Sequence, residues 1–222
     1  FDTILNIYKK NKFFMFVFEK LFKRLESLVF NHATHINLIS PGFESYFKKF
    51  KCENLSYYTN GIDDKFVYNS CNKSITKKTL KSVVYAGNIG DGQGLDKILP
   101  KVAKKTENTH LFKIYGDGGA KHKLVEQIEL LEIKNIKIYK PISRNKLIDI
   151  YCSADILFVH LNNLKAFEKV LPSKIFELAS FSKPILAGLS GFSANFIRNE
   201  VSHSYVFNPC DDVDMIKKLN EI

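Results

Sequence analysis

Along residues 11–30 the apolar side chains Phe14, Val17, Phe18, Leu21, Leu25 and Leu28 recur at steps of three and four, with Lys12, Lys20, Lys23, Arg24 and Glu26 between them. That period predicts an amphipathic helix. Residues 34–40 (THINLIS) then alternate like a short strand, Pro41-Gly42 interrupts them, and 43–50 return to a helical pattern. A brief β-prone run at 55–58 stops at Thr59-Asn60-Gly61-Ile62-Asp63. Residues 69–81 are polar and lysine-rich without a period, which predicts a linker or surface loop. Beyond them, apolar runs at 82–86, 111–115, 136–139, 156–160, 184–187 and 204–207 alternate with helical patterns at 95–105, 121–131, 144–152, 173–181, 193–199 and 212–221. Such alternation, with nearly uninterrupted apolar strands, predicts an α/β fold: a doubly wound, Rossmann-like parallel sheet covered by helices on both faces. The expected organisation is a partial N-terminal α/β segment over 1–63, a linker over 64–81 and the sheet domain over 82–222.

Composition narrows this reading without changing it. The chain has 222 residues, 45% apolar and 25% charged, the profile of an ordinary globular protein. It begins at Phe1 with no secretory-signal pattern, so it is expected to start inside a longer protein. The apolar run at 13–18 ends at Glu19-Lys20, far short of the roughly 20 residues a membrane-spanning helix needs. Lys and Arg total 33 against 23 Asp and Glu, a net charge of +10 that favours anionic partners. The four cysteines, Cys52, Cys71, Cys152 and Cys210, lie far apart with no C-x-x-C pair, so the spacing signals neither a zinc site nor a disulfide framework. A reducing, cytoplasmic setting is the simplest expectation. The six histidines are too scattered for a metal cluster, although His160 ends the fourth strand of the domain.

In doubly wound sheets ligands bind at the carboxyl ends of the strands, so the loops that follow them are where chemistry is sought. The first is Ala86-Gly87-Asn88-Ile89-Gly90-Asp91-Gly92-Gln93-Gly94, where glycines allow backbone N–H groups to approach an anion. It departs from the dinucleotide fingerprint, since Leu95 stands where the last glycine is needed. A ligand-free flexible turn is the alternative. A second turn, Tyr115-Gly116-Asp117-Gly118-Gly119, falls on the same predicted edge. The third candidate is Leu171-Pro172-Ser173-Lys174-Ile175-Phe176-Glu177. Pro172 suits a first helical position, Ser173 and Lys174 leave N–H groups and a cation at the helix start, and Glu177 lies one turn on. A capped, solvated helix is the alternative there. Asp212-Val213-Asp214 follows the last strand and opens a helix, which favours a capping turn over a metal site.

Four segments in order resemble the family 4 type glycosyltransferases, the retaining GT-B enzymes that use nucleotide-diphosphate sugars. They are Asn60-Gly61-Ile62-Asp63, Val84-Tyr85-Ala86-Gly87-Asn88-Ile89-Gly90 with Gln93-Gly94-Leu95-Asp96, Ile114-Tyr115-Gly116-Asp117-Gly118, and Leu171-Pro172-Ser173-Lys174-Ile175-Phe176-Glu177 followed by Lys183-Pro184-Ile185. The last is similar to the signature of the branch that assembles bacterial surface polysaccharides, O-antigen and capsule among them. The resemblance implies that the chain is the donor-binding half of such an enzyme, with a remnant of the acceptor domain. It implies transfer from a UDP-sugar, with retention, to a lipid-linked or polysaccharide acceptor. It places Gly87, Asn88, Gly90, Gly116, Gly118, Pro172, Ser173, Lys174 and Glu177 around the donor, with Lys174 and Glu177 catalytic. Glu177 matches the second glutamate of the family's pair, which holds the ribose; the first is expected at 169, where Lys169 stands with Glu168 one step off. Lys174, with Lys169 or Lys165, is then the cation for the leaving diphosphate, and no metal or other cofactor is expected. A GT-B sugar-nucleotide epimerase and a non-catalytic nucleotide- or nucleic-acid-binding module are the alternatives; against nucleic acid, no aromatic or helix-turn-helix motif is present. The basic, Phe-rich helix over 11–30 is expected either on an anionic membrane, at the inner face of the cell membrane, or against the rest of the acceptor domain.

Overall fold

The computed structural model describes residues 12–52, 54–67, 71 and 79–222, with the side chains of 12–15 left out. Most of the linker expected over 64–81 therefore lies outside the described residues. The chain divides into two compact units, one of residues 1–60, 164–172 and 191–193, the other of 61–163, 173–190 and 194–222.

In the first unit the periodic stretch forms helix α1 (Lys12–Asn31). Residues 34–40 shrink to a two-residue strand, β1 (Ile36–Asn37), which pairs in parallel with β2 (Leu55–Ser56). The expected helix over 43–50 is shorter and opens with a 3-10 turn, Pro41–Phe43, before α2 (Glu44–Phe47). Pro41 suits that tight first turn, and the Ser40 hydroxyl accepts from the Gly42 N–H to cap it. Ile36, Leu38 and Cys52 form a small core against Phe30 and Phe47, whose rings meet edge to face at 4.9 Å. The apolar stripe of α1 has a different fate: Val17, Phe18, Leu21, Leu25 and Leu28 are exposed among the described residues. Residues Lys165–Lys169 form another 3-10 turn of this unit; the Ser40 hydroxyl donates to the Lys169 carbonyl at 2.6 Å, and the Lys169 ammonium stands 5.3 Å from the Tyr46 ring centre.

The second unit begins with a short helix, α3 (Asp64–Val67), and then alternates as its pattern predicts. The order is β3 (Lys81–Ala86), α4 (Leu95–Lys105), β4 (His110–Tyr115), α5 (Lys121–Leu130), β5 (Ile136–Tyr139), α6 (Arg144–Ser153), β6 (Ile156–His160), α7 (Lys174–Ala179), β7 (Ile185–Gly188), α8 (Gly191–Glu200), β8 (Ser204–Phe207) and α9 (Asp212–Glu221). The first three residues of α8 belong to the other unit. The six strands form one parallel sheet in the order β5-β4-β3-β6-β7-β8. Strands β6 and β7 are buried throughout, as a two-sided sheet interior requires, whereas β4 alternates buried and half-buried positions nearer the edge. Helix α4 buries Leu95, Ile98, Leu99, Val102 and Ala103 on one face, joining Phe112, Ile114, Phe158 and Phe207 in the main core. Each Leu, Ile, Val or Phe among them contributes about 1.5–3 kcal/mol on leaving water. Asp211, one residue ahead of the acidic pair, caps α9 by accepting from the Val213 and Asp214 N–H groups, while Asp212 pairs with Lys105 at 2.7 Å.

The strand order reverses between β3 and β6, because the chain runs outward through β4 and β5 before returning. That switch opens a crevice at the carboxyl ends of β3 and its neighbours. One expectation is corrected in this unit: Cys71 and Cys152 form a disulfide across a separation of 81 residues. Spacing gave no sign of it because the two halves meet only in the folded chain.

Candidate functional site

The crevice holds a cavity of about 390 Å³ lined by Ala86, Gly87 and Asn88 after β3, Tyr115, Gly116 and Asp117 at the end of β4, Pro141, Ile142 and Leu147 after β5, and Lys174 from α7. Of the residues singled out in the sequence, Gly87, Asn88, Gly116 and Lys174 line it. Gly118 lies beside it, close against Asn88 and Ile89. Ser173 stands at the start of α7 without a side-chain cap bond, and Pro172 falls in the other unit. Tyr115, which opens the second turn, forms a wall with Pro141, Ile142 and Leu147, three residues that sequence reasoning missed. A Pro-Ile pair directly after a strand, on the edge already identified, was the available signal.

The two glycine loops are zipped together. Gly87 N–H donates to the Tyr115 carbonyl at 2.9 Å, Ile89 N–H to the Asp117 carbonyl at 2.8 Å, and Ala120 N–H to the Ile89 carbonyl at 2.9 Å. A Cβ on Gly116 would sit 1.9 Å from the Gly87 carbonyl oxygen, so this approach of one backbone to the other admits only glycine. The Gly90 N–H is directed to the Gln93 side chain, and Gln93 and Gly94 N–H groups return to the Gly90 carbonyl. These amides, expected to face an anion, are instead spent in holding the loop's shape.

His160 fixes the loop from beneath. Its Nδ1 contacts the Gln93 carbonyl at 2.5 Å and its Nε2 accepts from the Cys210 N–H at 3.1 Å, a pattern that requires a neutral ring protonated on Nδ1. Burial pushes this imidazole down to about 4, against the opposing pull of the Gln93 carbonyl. Asn162 adds a second tie, donating to the Asp91 carbonyl at 2.7 Å and accepting from Lys97 at 3.1 Å.

Charge enters the cavity through Lys174, whose ammonium lies 2.6 Å from the Glu177 carboxylate one turn on, both side chains partly buried. Asp117 is held below the usual carboxylate range by the Gly118 N–H and by Lys121. Tyr115 stacks on Tyr139 with ring centres 4.6 Å apart, and burial raises its phenol. The arrangement offers one apolar, partly aromatic wall and one cation, suited to a ligand with a flat apolar end and an anionic end. Among the described residues no group of three or more His, Cys, Asp or Glu gathers as a metal site.

Comparison with known proteins decides the family, since the family model for glycosyl transferases group 1 matches residues 69–222. The chain belongs to the group 1 glycosyl transferases. Over 95 residues it is 28% identical to WcaI of Escherichia coli (strain K12), named as a glycosyl transferase of colanic acid biosynthesis, covering 43% of this chain and 23% of that protein. Among solved structures it resembles HepE of Anabaena, determined in complex with UDP and glucose (TM-score 0.72, 14% identity, 89% of this chain and 56% of HepE). It also resembles sucrose-phosphate synthase of Thermosynechococcus elongatus (TM-score 0.73, 15% identity, 90% of this chain and 51% of that one). These matches establish the α/β fold with its parallel sheet as that of GT-B glycosyltransferases. The group 1 chain described here spans just over half the length of HepE.

Proposed function

We propose that this chain is the donor-binding part of a family 4 type, retaining glycosyltransferase of bacterial surface polysaccharide synthesis, O-antigen or capsule among them. It binds a nucleotide-diphosphate sugar, UDP-linked, and the whole enzyme moves the hexosyl or N-acetylhexosaminyl group to a lipid-linked or polysaccharide acceptor. The observation that carries this reading is the cavity at the carboxyl ends of β3, β4 and β5 with Lys174 on its wall. HepE was solved with UDP and glucose, and the name of WcaI refers to colanic acid, a likeness that favours both the donor and the polysaccharide setting.

Glycosyl transfer with retention passes through an oxocarbenium-like transition state, and the donor domain must stabilise the departing diphosphate. Lys174 supplies a positive charge for it without proton chemistry or a metal. Glu177, released from Lys174, accepts hydrogen bonds from the hydroxyl groups of the ribose. The Tyr115, Pro141, Ile142 and Leu147 wall takes the base. Gly87, Asn88, Gly90, Gly116 and Gly118 shape the floor, with Pro172 and Ser173 leading into α7. We place the enzyme in the cytoplasm at the inner face of the membrane, with the basic, apolar helix α1 against anionic lipid; in that reducing setting the Cys71–Cys152 pair is held as thiols and closes to the disulfide under oxidising conditions. Among the described residues no helix is long and apolar enough to cross a membrane. Saturation-transfer NMR with UDP, GDP and a short oligonucleotide tests the reading: transfer to UDP alone supports it, and transfer to the oligonucleotide alone overturns it.

A further inference from the structure

Tyr151, near the end of α6, is fully buried, yet its hydroxyl has no hydrogen-bond partner. Buried polar groups are rarely left so, and one beside a binding site asks for an explanation. The ring packs edge to face on Phe181, centres 5.1 Å apart. Phe181 lies two residues past the end of α7 and four after Glu177, its N–H bonded to the Leu178 carbonyl at 3.2 Å in the turn that closes the helix. Tyr151 thereby packs on the turn that closes α7, the helix that carries Glu177. The two groups also sense each other, since the Glu177 carboxylate adds to burial in raising the phenol. Tyr151 is accordingly a donor and stays protonated. The carboxylate is turned to Lys174 instead, at 2.6 Å.

We propose that Tyr151 is a positioning residue of the donor site: when an anionic diphosphate draws Lys174 away, the Glu177 carboxylate turns to the Tyr151 hydroxyl, which holds it aimed at the hydroxyl groups of the bound nucleoside. This rests on the donor-site reading above. A carboxylate freed from Lys174 needs a replacement donor in a partly buried site, and the orphaned phenol of Tyr151 can supply it. No proton moves; one charge-assisted contact is exchanged for another.

Calorimetry with UDP and with 2′,3′-dideoxy-UDP on the unaltered chain, Tyr151→Phe, Glu177→Gln and the double variant tests this, alongside thermal melts. Expected is a weakening of UDP binding by about tenfold in Tyr151→Phe, with an unchanged or raised melting temperature. Dideoxy-UDP should bind the two proteins alike, and Tyr151→Phe should add nothing in the Glu177→Gln background. Equal UDP affinity for the unaltered chain and Tyr151→Phe overturns this proposal alone, as does an equal loss with both ligands. Failure of the unaltered chain to bind any nucleoside diphosphate overturns the donor-site reading and this proposal together. Should Tyr151→Phe not fold, the Cζ resonance of ¹³C-labelled Tyr151 in the unaltered chain decides: a shift on adding UDP but not dideoxy-UDP supports the proposal, and no difference between them overturns it.

Discussion

The Nδ1 of His160 lies 2.5 Å from the carbonyl oxygen of Gln93, joining the end of β6 to the glycine loop that follows β3. With Nε2 receiving the Cys210 N–H, one buried ring ties the loops after β3 and β8 to the end of β6. The ring must be neutral for both contacts to stand.

Protonation of His160 should therefore cost stability. Its folded value, about 4, lies below the ordinary 6.5, so the unfolded chain binds the extra proton first as pH falls. The stabilisation is complete above pH ~6.5 and is lost on descent toward pH 4, a total of about 3 kcal/mol. Chemical denaturation between pH 7 and 4.5 measures it. His160→Phe should be less stable at pH 7 yet show a flatter dependence over that window; an identical slope in both proteins contradicts the assignment.

Gly116→Ala should be severely destabilising, by about 3 kcal/mol or more, because the new methyl would meet the Gly87 carbonyl. Gly119 has nothing within 4 Å of its added Cβ, so Gly119→Ala should stay within about 0.5 kcal/mol of the parent. Urea titration of the pair separates a requirement for close approach from a general intolerance of the turn.

The disulfide predicts a specific thiol pattern. Peptide mapping under non-reducing conditions should find Cys71 joined to Cys152, with Cys52 and Cys210 free. Cys152→Ser should lower stability by about 2–4 kcal/mol. Four reactive thiols in the folded, unreduced protein would contradict the pairing.

Helix α1 exposes Phe18, Leu21, Leu25 and Leu28 beside Lys20 and Arg24. If it rests on anionic lipid, phosphatidylserine vesicles should sediment the chain at low salt and release it as salt rises, with neutral vesicles inert. No binding to anionic vesicles at low salt ends that placement.

The sheet was legible because its period changes are sharp: α4 repeats Leu95, Ile98, Leu99 and Val102 at helical steps, and β6 and β7 are apolar at nearly every position. The first unit was harder to read. THINLIS alternates over seven residues, but among the described residues β1 has only β2 to pair with and keeps two. Gly87, Asn88, Gly116 and Lys174 were legible as loop and helix-start residues. The wall opposite was not, since Tyr115 reads as a strand residue and Leu147 as a helix-core residue. They meet Pro141 and Ile142 only because the order β5-β4-β3 lays three strand ends side by side. Likewise, glycines that suggest free amides say nothing of the neighbouring loop that consumes them.

Calorimetry of UDP and uridine against the chain and Lys174→Ala asks whether a donor nucleotide sits in the β3–β4–β5 cavity with Lys174 on its phosphates. UDP should bind, Lys174→Ala should weaken UDP by at least about tenfold, and the affinity for uridine should barely change. Absence of UDP binding, or equal losses for UDP and uridine, would contradict it.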